Sequence, residues 1–301
     1  FLCGSQCVMT FGGDVPRGEW GGQLLVTLHE RGRPARRFSR GVASDRVRFS
    51  THDADLALDD ARVTVDDAGR YRIRASVPAE AGAGRVSFDL VVSPAPRAWF
   101  PGATLVAGAS PSGYAVLGLR ARADGTVCVD ARCEALDGVQ GYHDHNWGTW
   151  QGVTWDWGAS RAGAYTLLYG RVRPPDDARG GDAPLFAYLV DSLGYRAVFR
   201  PRTISYEDGR TVATADGPLR VPARARLRDV RGSDTLDVVI DVDDATATDT
   251  RAGLVERGEG AYARRLATPW FLQLQGRLTL RGRIGGRPVA GTGHGFFETY
   301  R

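Results

Sequence analysis

Short segments of alternating apolar and polar residues fill this chain, and glycine or proline interrupts them at close intervals. The sequence has 39 glycines and 15 prolines among 301 residues. Alternation with a period of two places successive side chains on opposite faces of a β-strand. The alternating segments include DRVRFST, ARVTVDD, RYRIRASV, RVSFDLVV, TVCVD, AYTLLYGRV, TLDVVIDV and GRLTLRGRI. The pattern predicts an all-β protein with few short helices, either a sandwich or a barrel.

Helical periodicity is weak, and the best short-helix candidate covers residues 253–266. An internal echo favours two domains, because TVCVDARCEALDGVQGYHDHNWG and RLTLRGRIGGRPVAGTGHGFFETY have the same order of two strands, a turn and a glycine-marked strand. Aligning Gly141 with Gly293 separates the two copies by 152 residues. We therefore expect domains at residues 1–150 and 151–301, each the size of a small ligand-holding barrel. The proline pair within residues 93–102 is the alternative boundary.

All 39 basic residues are arginine, because the sequence contains no lysine. Schiff-base and lysine-base mechanisms are therefore excluded. The net charge is only +4, since 35 acidic residues are interleaved with the arginines. We interpret the densest basic stretch, RGRPARRFSR at 31–40, as a solvated loop and expect no nucleic-acid partner. No apolar run is long enough to cross a bilayer and no signal-peptide pattern is present, which predicts a cytoplasmic protein without stable membrane insertion.

The four cysteines are too few for a disulfide scaffold in a chain of this length. Cys128 and Cys133 flank a predicted hairpin turn and could face each other across two strands. Cys3 and Cys7 lie near the N-terminus, and neither cysteine spacing is a strong zinc signal. We expect free thiols in a reducing cytoplasm. The chain does not begin with methionine, so N-terminal residues could be missing.

The segment GYHDHNWGTW at 141–150 holds the densest group of reactive side chains. On a strand, His143, His145 and Trp147 share one face, and Tyr142, Asp144 and Asn146 share the other. Two histidines at i and i+2 can bind a metal, but a catalytic metal needs a third ligand and the other histidines are isolated in the sequence. We therefore expect no metal and no other cofactor.

Acid–base chemistry is the second hypothesis for this segment. An imidazole in an aromatic-walled cavity can donate or relay a proton near neutral pH. Four of the seven tryptophans follow closely, and their indole faces bind flat apolar ligands and stabilise positive charge: Trp147, Trp150, Trp155 and Trp157. The alternative is that these tryptophans fill a barrel and the histidines are hydrogen-bonded core groups. The density of polar residues around them favours the functional interpretation.

The sequence GYHDHNWG followed by WDWG resembles the carotenoid 1,2-hydratase (hydroxyneurosporene synthase) family. More broadly it is similar to the AttH-like double-lipocalin group, which includes lipocalin-type Diels–Alderases. The resemblance implies two lipocalin-like antiparallel barrels packed in tandem and cofactor-free chemistry on a polyene or terpenoid. The family's His-x-Trp falls on His145 and Trp147. Its next strand carries a tyrosine with an aspartate two positions later; here the strand offers Tyr165 and Tyr169, and Arg171 stands two positions after Tyr169.

We predict an enzyme that cyclises or rearranges a long unsaturated polyketide or terpenoid by holding its reactive conformer and polarising a carbonyl. The candidate catalytic residues are His145, Tyr169, Asp144 and His143. The candidate substrate-binding residues are Trp147, Asn146, Tyr142, Trp155, Trp157, Tyr165 and Arg171, the last for an acidic headgroup. Alkene hydration and a non-catalytic carrier of a lipophilic metabolite are the alternatives. The expected partner is a hydrophobic small molecule, and the protein is expected to be a monomer or a homodimer.

Overall fold

The computed structural model describes residues 6–14, 21–30, 33–50, 52–53, 55–107, 110–148, 150, 152–174, 183–251, 260–264 and 266–301. Strands make up most of this part, and its helices are a 3-10 turn at Ser44–Arg46 and one four-residue turn, α1, at Gly260–Ala263. The all-β prediction is confirmed. Most of the helix candidate at 253–266 lies outside the described residues, and α1 falls in the remainder.

The described strands follow one another in chain order. They are β1 (Gln6–Asp14), β2 (Gly21–His29), β3 (Arg36–Ala43), β4 (Val47–Phe49), β5 (Leu56–Leu58), β6 (Ala61–Val65), β7 (Tyr71–Pro78), β8 (Arg85–Pro94), β9 (Phe100–Ala107), β10 (Ser110–Val129), β11 (Arg132–Trp147), β12 (Thr154–Ala162), β13 (Tyr165–Arg173), β14 (Phe186–Asp191), β15 (Gly194–Phe199), β16 (Ile204–Thr214), β17 (Gly217–Arg231), β18 (Asp234–Asp249), β19 (Trp270–Ile284) and β20 (Arg287–Tyr300).

The first of two compact units comprises residues 1–95 and 120–141. Strands β1, β2 and β3 form one antiparallel sheet, and β4 to β8 with β10 form most of another. A bridge between Phe38 and Ala79 connects the two sheets at the end of β7. Alternate apolar residues from both sheets, such as Leu24 and Val77, meet in one buried core. This unit shows how period-two alternation in the sequence becomes a two-sheet core.

The second unit comprises residues 96–119 and 142–301. Nine antiparallel strands lie in the order β15-β14-β13-β12-β20-β19-β18-β17-β16. The sheet curls until its ends meet: the amide of Arg200 donates to Asp229 Oδ2 at 2.7 Å, and Arg231 Nη1 donates to the Val198 carbonyl at 3.2 Å. Apolar side chains from all nine strands fill the inside of the curl. We call this side the inner face and the opposite side the outer face.

Strands β10 and β11 form a long hairpin that runs through both units. A disulfide joins Cys128 to Cys133 beside its turn. The expectation of free thiols is therefore wrong for this pair, because the hairpin places the two side chains opposite each other. The predicted division at residue 150 stays a prediction. The chain passes from one compact unit to the other after residues 95, 119 and 141.

Within the second unit, the ends of this hairpin and strand β9 cover part of the outer face. The Phe100 ring stacks on Phe186 with centroids 4.9 Å apart, and Tyr114 meets Trp157 edge-on at 5.0 Å. Both contacts join the covering strands to the curled sheet. Tyr114, Trp157 and Phe186 are therefore buried between the two layers.

The basic stretch at 31–40 forms ion pairs within the first unit. Arg36, Arg37 and Arg40 pair with Asp130, Glu80 and Asp60 respectively. These contacts favour the interpretation of a solvated surface whose charge is balanced locally. Among the described residues, no helix has the length and apolar character needed to span a bilayer.

Candidate functional site

Strands β12 and β20 pair antiparallel, with Trp157 opposite Glu298. Because side chains alternate along each strand, Trp155 and Trp157 lie on the outer face together with Glu298 and Tyr300. The residues between them, including Asp156, lie on the inner face. Two polar clusters therefore form on opposite sides of the same pair of strands, and they have different chemistry.

The outer cluster is completed by strand β11, whose alternate residues reach the sheet. The Tyr142 hydroxyl donates to Asp144 Oδ2 at 2.8 Å and accepts the indole N–H of Trp157 at 2.9 Å. Asn146 Nδ2 donates to Asp144 Oδ1 at 3.5 Å. The Tyr142 ring packs on Phe296 with centroids 4.7 Å apart. These hydrogen bonds show that Tyr142, Asp144 and Asn146 share one face of the strand, as predicted.

Glu298 lies at the centre of the outer cluster. Burial raises the pKa of its carboxyl to about 7, and the neighbouring charge of Asp144 adds to this rise. The indole N–H of Trp155 donates to Glu298 Oε2 at 2.7 Å and opposes part of the rise. Glu298 still keeps part of its surface accessible to solvent. The carboxyl is thus desolvated yet partly exposed, and near neutral pH it is partly protonated.

Aromatic rings form the wall beside Glu298. Trp155 meets Tyr300 edge-on at 4.9 Å and Phe271 at 5.3 Å between ring centroids. Trp150 contacts Trp155 edge-on at 6.2 Å. Apolar walls of this kind exclude water and strengthen the electrostatic effect of the carboxyls they surround. The site therefore combines an acid with surfaces that bind flat, apolar molecules.

Burial shifts the pKa values of Asp144 and His143 on β11 in opposite directions. Burial raises the pKa of Asp144, whereas the hydrogen bond from Tyr142 and the charge of His145 oppose that rise. Burial, with a smaller contribution from His145, lowers the pKa of His143 to about 4. His143 is therefore neutral near pH 7 and has no proton to donate from an imidazolium. His145 is exposed beside Trp147, with ring centroids 5.9 Å apart.

Three predicted site residues on β13 do not join the outer cluster. Tyr169 is 1% exposed and stacks on Phe297 in the core of the curled sheet. Tyr165 packs against the same core. Arg171 is bound to Asp156 on the inner face. Alternation separates all three from Trp155 and Trp157, which point to the other side of the sheet.

The inner cluster is a buried ionic network around Asp156, which has no exposed surface. Its Oδ2 accepts hydrogen bonds from Arg171 and Arg173, and its Oδ1 accepts one each from the hydroxyls of Tyr206 and Thr299, both at 2.8 Å. Desolvation opposes ionisation, but these partners together hold the pKa of Asp156 below its usual value. The carboxylate is satisfied by partners on three other strands, as a buried charge requires.

Sequence reasoning missed Glu298, the acid at the centre of the site, and its neighbours Tyr300 and Phe271. A usable signal was present in FFETY: Glu298 alternates with Phe296 and Tyr300, so a single carboxyl shares a strand face with aromatic rings. An acidic residue in such a position becomes desolvated when another layer covers that face. Among the described residues, no group of three or more His, Cys, Asp or Glu side chains could hold a metal ion.

No family model matches the sequence, and no curated protein matches it either. Solved structures do match over nearly the whole chain. An AttH-like protein from Nitrosomonas europaea aligns over 99% of this chain and 92% of its own, with 18% identity and a TM-score of 0.53. The chain has the AttH-like fold.

Kievitone hydratase from Nectria haematococca also shares this AttH-like fold. It aligns over 98% of this chain and 87% of its own, with 13% identity and a TM-score of 0.50. The predicted fold class, all-β with lipocalin-like antiparallel barrels, is thereby confirmed. Identities this low establish the fold, while the chemistry has to be argued from the side chains of this chain.

Proposed function

We propose that this protein is an enzyme that transfers a proton to an apolar, unsaturated small molecule and so promotes its cyclisation or rearrangement. Glu298 is the proton donor, and the observation that carries the proposal is its carboxyl, which has a pKa of about 7 and lies beside Asp144 and the aromatic side chains of Trp155 and Tyr300. A general acid is most effective when its pKa lies near the working pH. No redox cofactor takes part in the proposed reaction.

The reaction begins when Glu298 protonates an alkene or a carbonyl oxygen of the substrate. The rings of Trp155 and Tyr300 and the carboxylate of Asp144 stabilise the positive charge that develops. Attack by a second double bond closes the ring, and Asp144 removes a proton from the resulting cation. The product is an isomer of the substrate. Return of the proton from Asp144 to Glu298 restores the enzyme.

Other residues of the segment 141–150 assist this step. His145 favours the ionised form of Asp144 through its charge. Tyr142 holds the Asp144 carboxylate by its hydroxyl and is itself fixed by Trp157. Among the sequence candidates, His143 is less suited as a donor because it is neutral near pH 7. Tyr169 and Arg171 then support the sheet from its inner face rather than contact the substrate.

Hydration is the second candidate, and the pairing of an acid with a carboxylate base favours it. In this variant Glu298 protonates one alkene carbon, and Asp144 accepts a proton from the water that attacks the other. The similarity of the fold to kievitone hydratase is compatible with this chemistry. Hydration and cyclisation share the first step and differ in whether water or the substrate's own double bond captures the cation.

The test incubates the purified protein with a metabolite extract from a host strain that lacks the gene, followed by mass spectrometry. A new compound with the mass of one that disappears supports cyclisation or rearrangement. A product heavier by one water, with ¹⁸O incorporated from labelled water, supports hydration. If a compound is bound and released unchanged, the protein is a carrier and the proposal is wrong.

Two variants identify the acid. Glu298→Gln removes the proton and keeps the shape, so we expect binding to persist and conversion to fall at least about 100-fold. Glu207→Gln is the matched control, because Glu207 is an exposed glutamate of the same unit. Conversion by Glu298→Gln at the rate of the control would exclude Glu298 as the donor.

A further inference from the structure

We infer that Thr299 and Asp156 are positioning residues that hold the Glu298 carboxyl against the Trp155 indole from the opposite face of the sheet. The inference rests on the proposed role of Glu298. Neither residue faces the outer cluster, because both lie on the inner face of their strands. Their effect on the reaction would therefore be exerted through the backbone of β12 and β20.

The backbone pairing of β12 with β20 ends beside the Trp155–Glu298 hydrogen bond. The backbone ladder runs from Ser160 opposite Gly295 to Trp157 opposite Glu298. Beyond this point two side-chain hydrogen bonds connect the strands. On the outer face, Trp155 donates to Glu298 at 2.7 Å; on the inner face, the Thr299 hydroxyl donates to Asp156 Oδ1 at 2.8 Å.

Both bonds join neighbouring residues of the same two strands. Asp156 follows Trp155 directly, and Thr299 follows Glu298 directly. A shift of β20 along β12 would therefore change the geometry of both bonds together. The inner bond thus fixes the relative position at which the outer bond can form.

Asp156 is a rigid anchor for this purpose. Its carboxylate has no exposed surface and is held by Arg171 and Arg173 from β13 and by Tyr206 from β16. A hydrogen bond to such a fixed group restrains its partner more than a bond to a mobile surface side chain would. Thr299 is itself 2% exposed, so its hydroxyl does not exchange this partner for solvent.

The groups that face Glu298 come from several strands. Tyr142 and Asp144 lie on β11, Tyr300 lies on β20 itself, and Tyr169 is close enough across the sheet to experience its charge. The hydrogen bond from Trp155 to Glu298 favours the ionised form of the carboxyl. Loss of the inner anchor should therefore weaken that bond and make the carboxyl harder to ionise.

The experiment records ¹H–¹⁵N correlation spectra of the indole N–H groups over a pH range around neutrality. Trp155→Phe identifies the signal of Trp155. Thr299→Val keeps the shape of the side chain and removes its hydroxyl, whereas Thr299→Ser keeps the hydroxyl. We expect Thr299→Val to move the Trp155 signal towards that of an unbonded indole and to raise its titration midpoint by about one pH unit. Thr299→Ser should restore both.

Thr166→Val is the matched control. Its hydroxyl is buried in β13 of the same sheet and has no hydrogen-bond partner among the described residues. The inference is overturned if Thr299→Val leaves the Trp155 signal in place, or if Thr166→Val moves it equally. If the Trp155 signal of the wild type does not titrate near neutral pH, the proposed role of Glu298 is contradicted. The chemical shift of this signal in the Thr299 variants would still decide whether Thr299 positions Glu298 against Trp155.

Discussion

Gly170 on β13 lies against the indole of Trp157 on β12, so closely that a methyl group on its Cα would come within 2.4 Å of two ring carbons. The ring of Phe186 closes the same space at 3.0 Å. Gly170→Ala should therefore displace Trp157 and break its hydrogen bond to Tyr142. We expect a loss of about 1–3 kcal/mol in the free energy of unfolding, measured with urea, and a shift of the Trp157 indole N–H signal.

Gly41→Ala is the control for this substitution. Gly41 also lies in a strand, but an added methyl group would meet nothing within 4 Å. An unfolding free energy close to the wild-type value is expected. Equal losses in the two variants would mean that the packing of Gly170 on Trp157 is not what matters.

The stability of the protein should depend on pH through Glu298. Its pKa rises from 4.5 in the unfolded chain to about 7 in the folded protein, so the folded state binds the proton more tightly. Proton binding at Glu298 therefore stabilises the folded protein by at most roughly 3 kcal/mol. This stabilisation is fully present below about pH 4.5 and is lost as the pH rises through about 7. Glu298→Gln should remove this slope from unfolding free energies measured between about pH 5 and pH 8.

His143 changes the pH dependence of stability in the opposite direction, and it does so equally in the wild type and in Glu298→Gln. Its pKa falls from 6.5 to about 4 on folding, so its contribution is present above 6.5 and is lost as the pH falls towards 4. The difference between wild type and Glu298→Gln cancels this effect. Parallel curves for the two proteins would show that Glu298 ionises normally.

His145→Ala should raise the pKa of Asp144. Burial raises the pKa of Asp144, and the charge of His145 is one of the effects that oppose this rise. Without it, Asp144 would remain protonated to a higher pH and would be a poorer base. The acidic limb of the rate profile should then move to higher pH, with little change in ligand binding. An unchanged limb would remove His145 from the proposed reaction.

Asp156→Asn should be strongly destabilising. The substitution leaves the guanidinium groups of Arg171 and Arg173 without the carboxylate that both bind. Breaking a buried ion pair on one side costs about 3–5 kcal/mol. Asp137→Asn is the control, because the Asp137 side chain is 95% exposed and its pair with Arg122 should contribute less than about 1 kcal/mol. Urea unfolding of both variants distinguishes the two environments.

The disulfide between Cys128 and Cys133 closes a short loop at the hairpin turn. In the chain-entropy description, a loop of this length restricts the unfolded chain by roughly 2 kcal/mol. We expect Cys128→Ser with Cys133→Ser to lower the free energy of unfolding by about that amount. Mass spectrometry after thiol alkylation in intact cells checks the bond itself; two alkylated thiols at these positions would show that it is absent there.

The sequence predicted those relations that depend on the alternation within one strand. Tyr142, Asp144 and Asn146 share a face, because a strand repeats every two residues. It did not predict which faces of different strands meet. Strand β13 is buried on both faces, so its sequence YTLLYGRVR loses the alternation that would distinguish inside from outside. The family resemblance places Tyr169 in the same site as Trp157, and the pattern of this strand offers nothing to correct it.

Glu298 was missed for a different reason. It lies 143 residues from its hydrogen-bond donor Trp155, and the raised pKa of its carboxyl depends on that distance being closed by folding. Burial of a carboxyl is a property of the surrounding strands. A period-two pattern shows only that Glu298 shares a face with Phe296 and Tyr300. It cannot show that another layer covers that face.

Strand β11 begins at Arg132 in the first unit and ends in the second, where it supplies Tyr142 and Asp144. In the proposed reaction these residues act with Glu298, which lies near the other end of the chain. A recombination event at residue 150 between two related genes would take Asp144 from one parent and Glu298 from the other. The two carboxyls would then have to match although they came from different lineages. The halves of this chain are therefore not interchangeable modules, and selection on the acid pair links the inheritance of both.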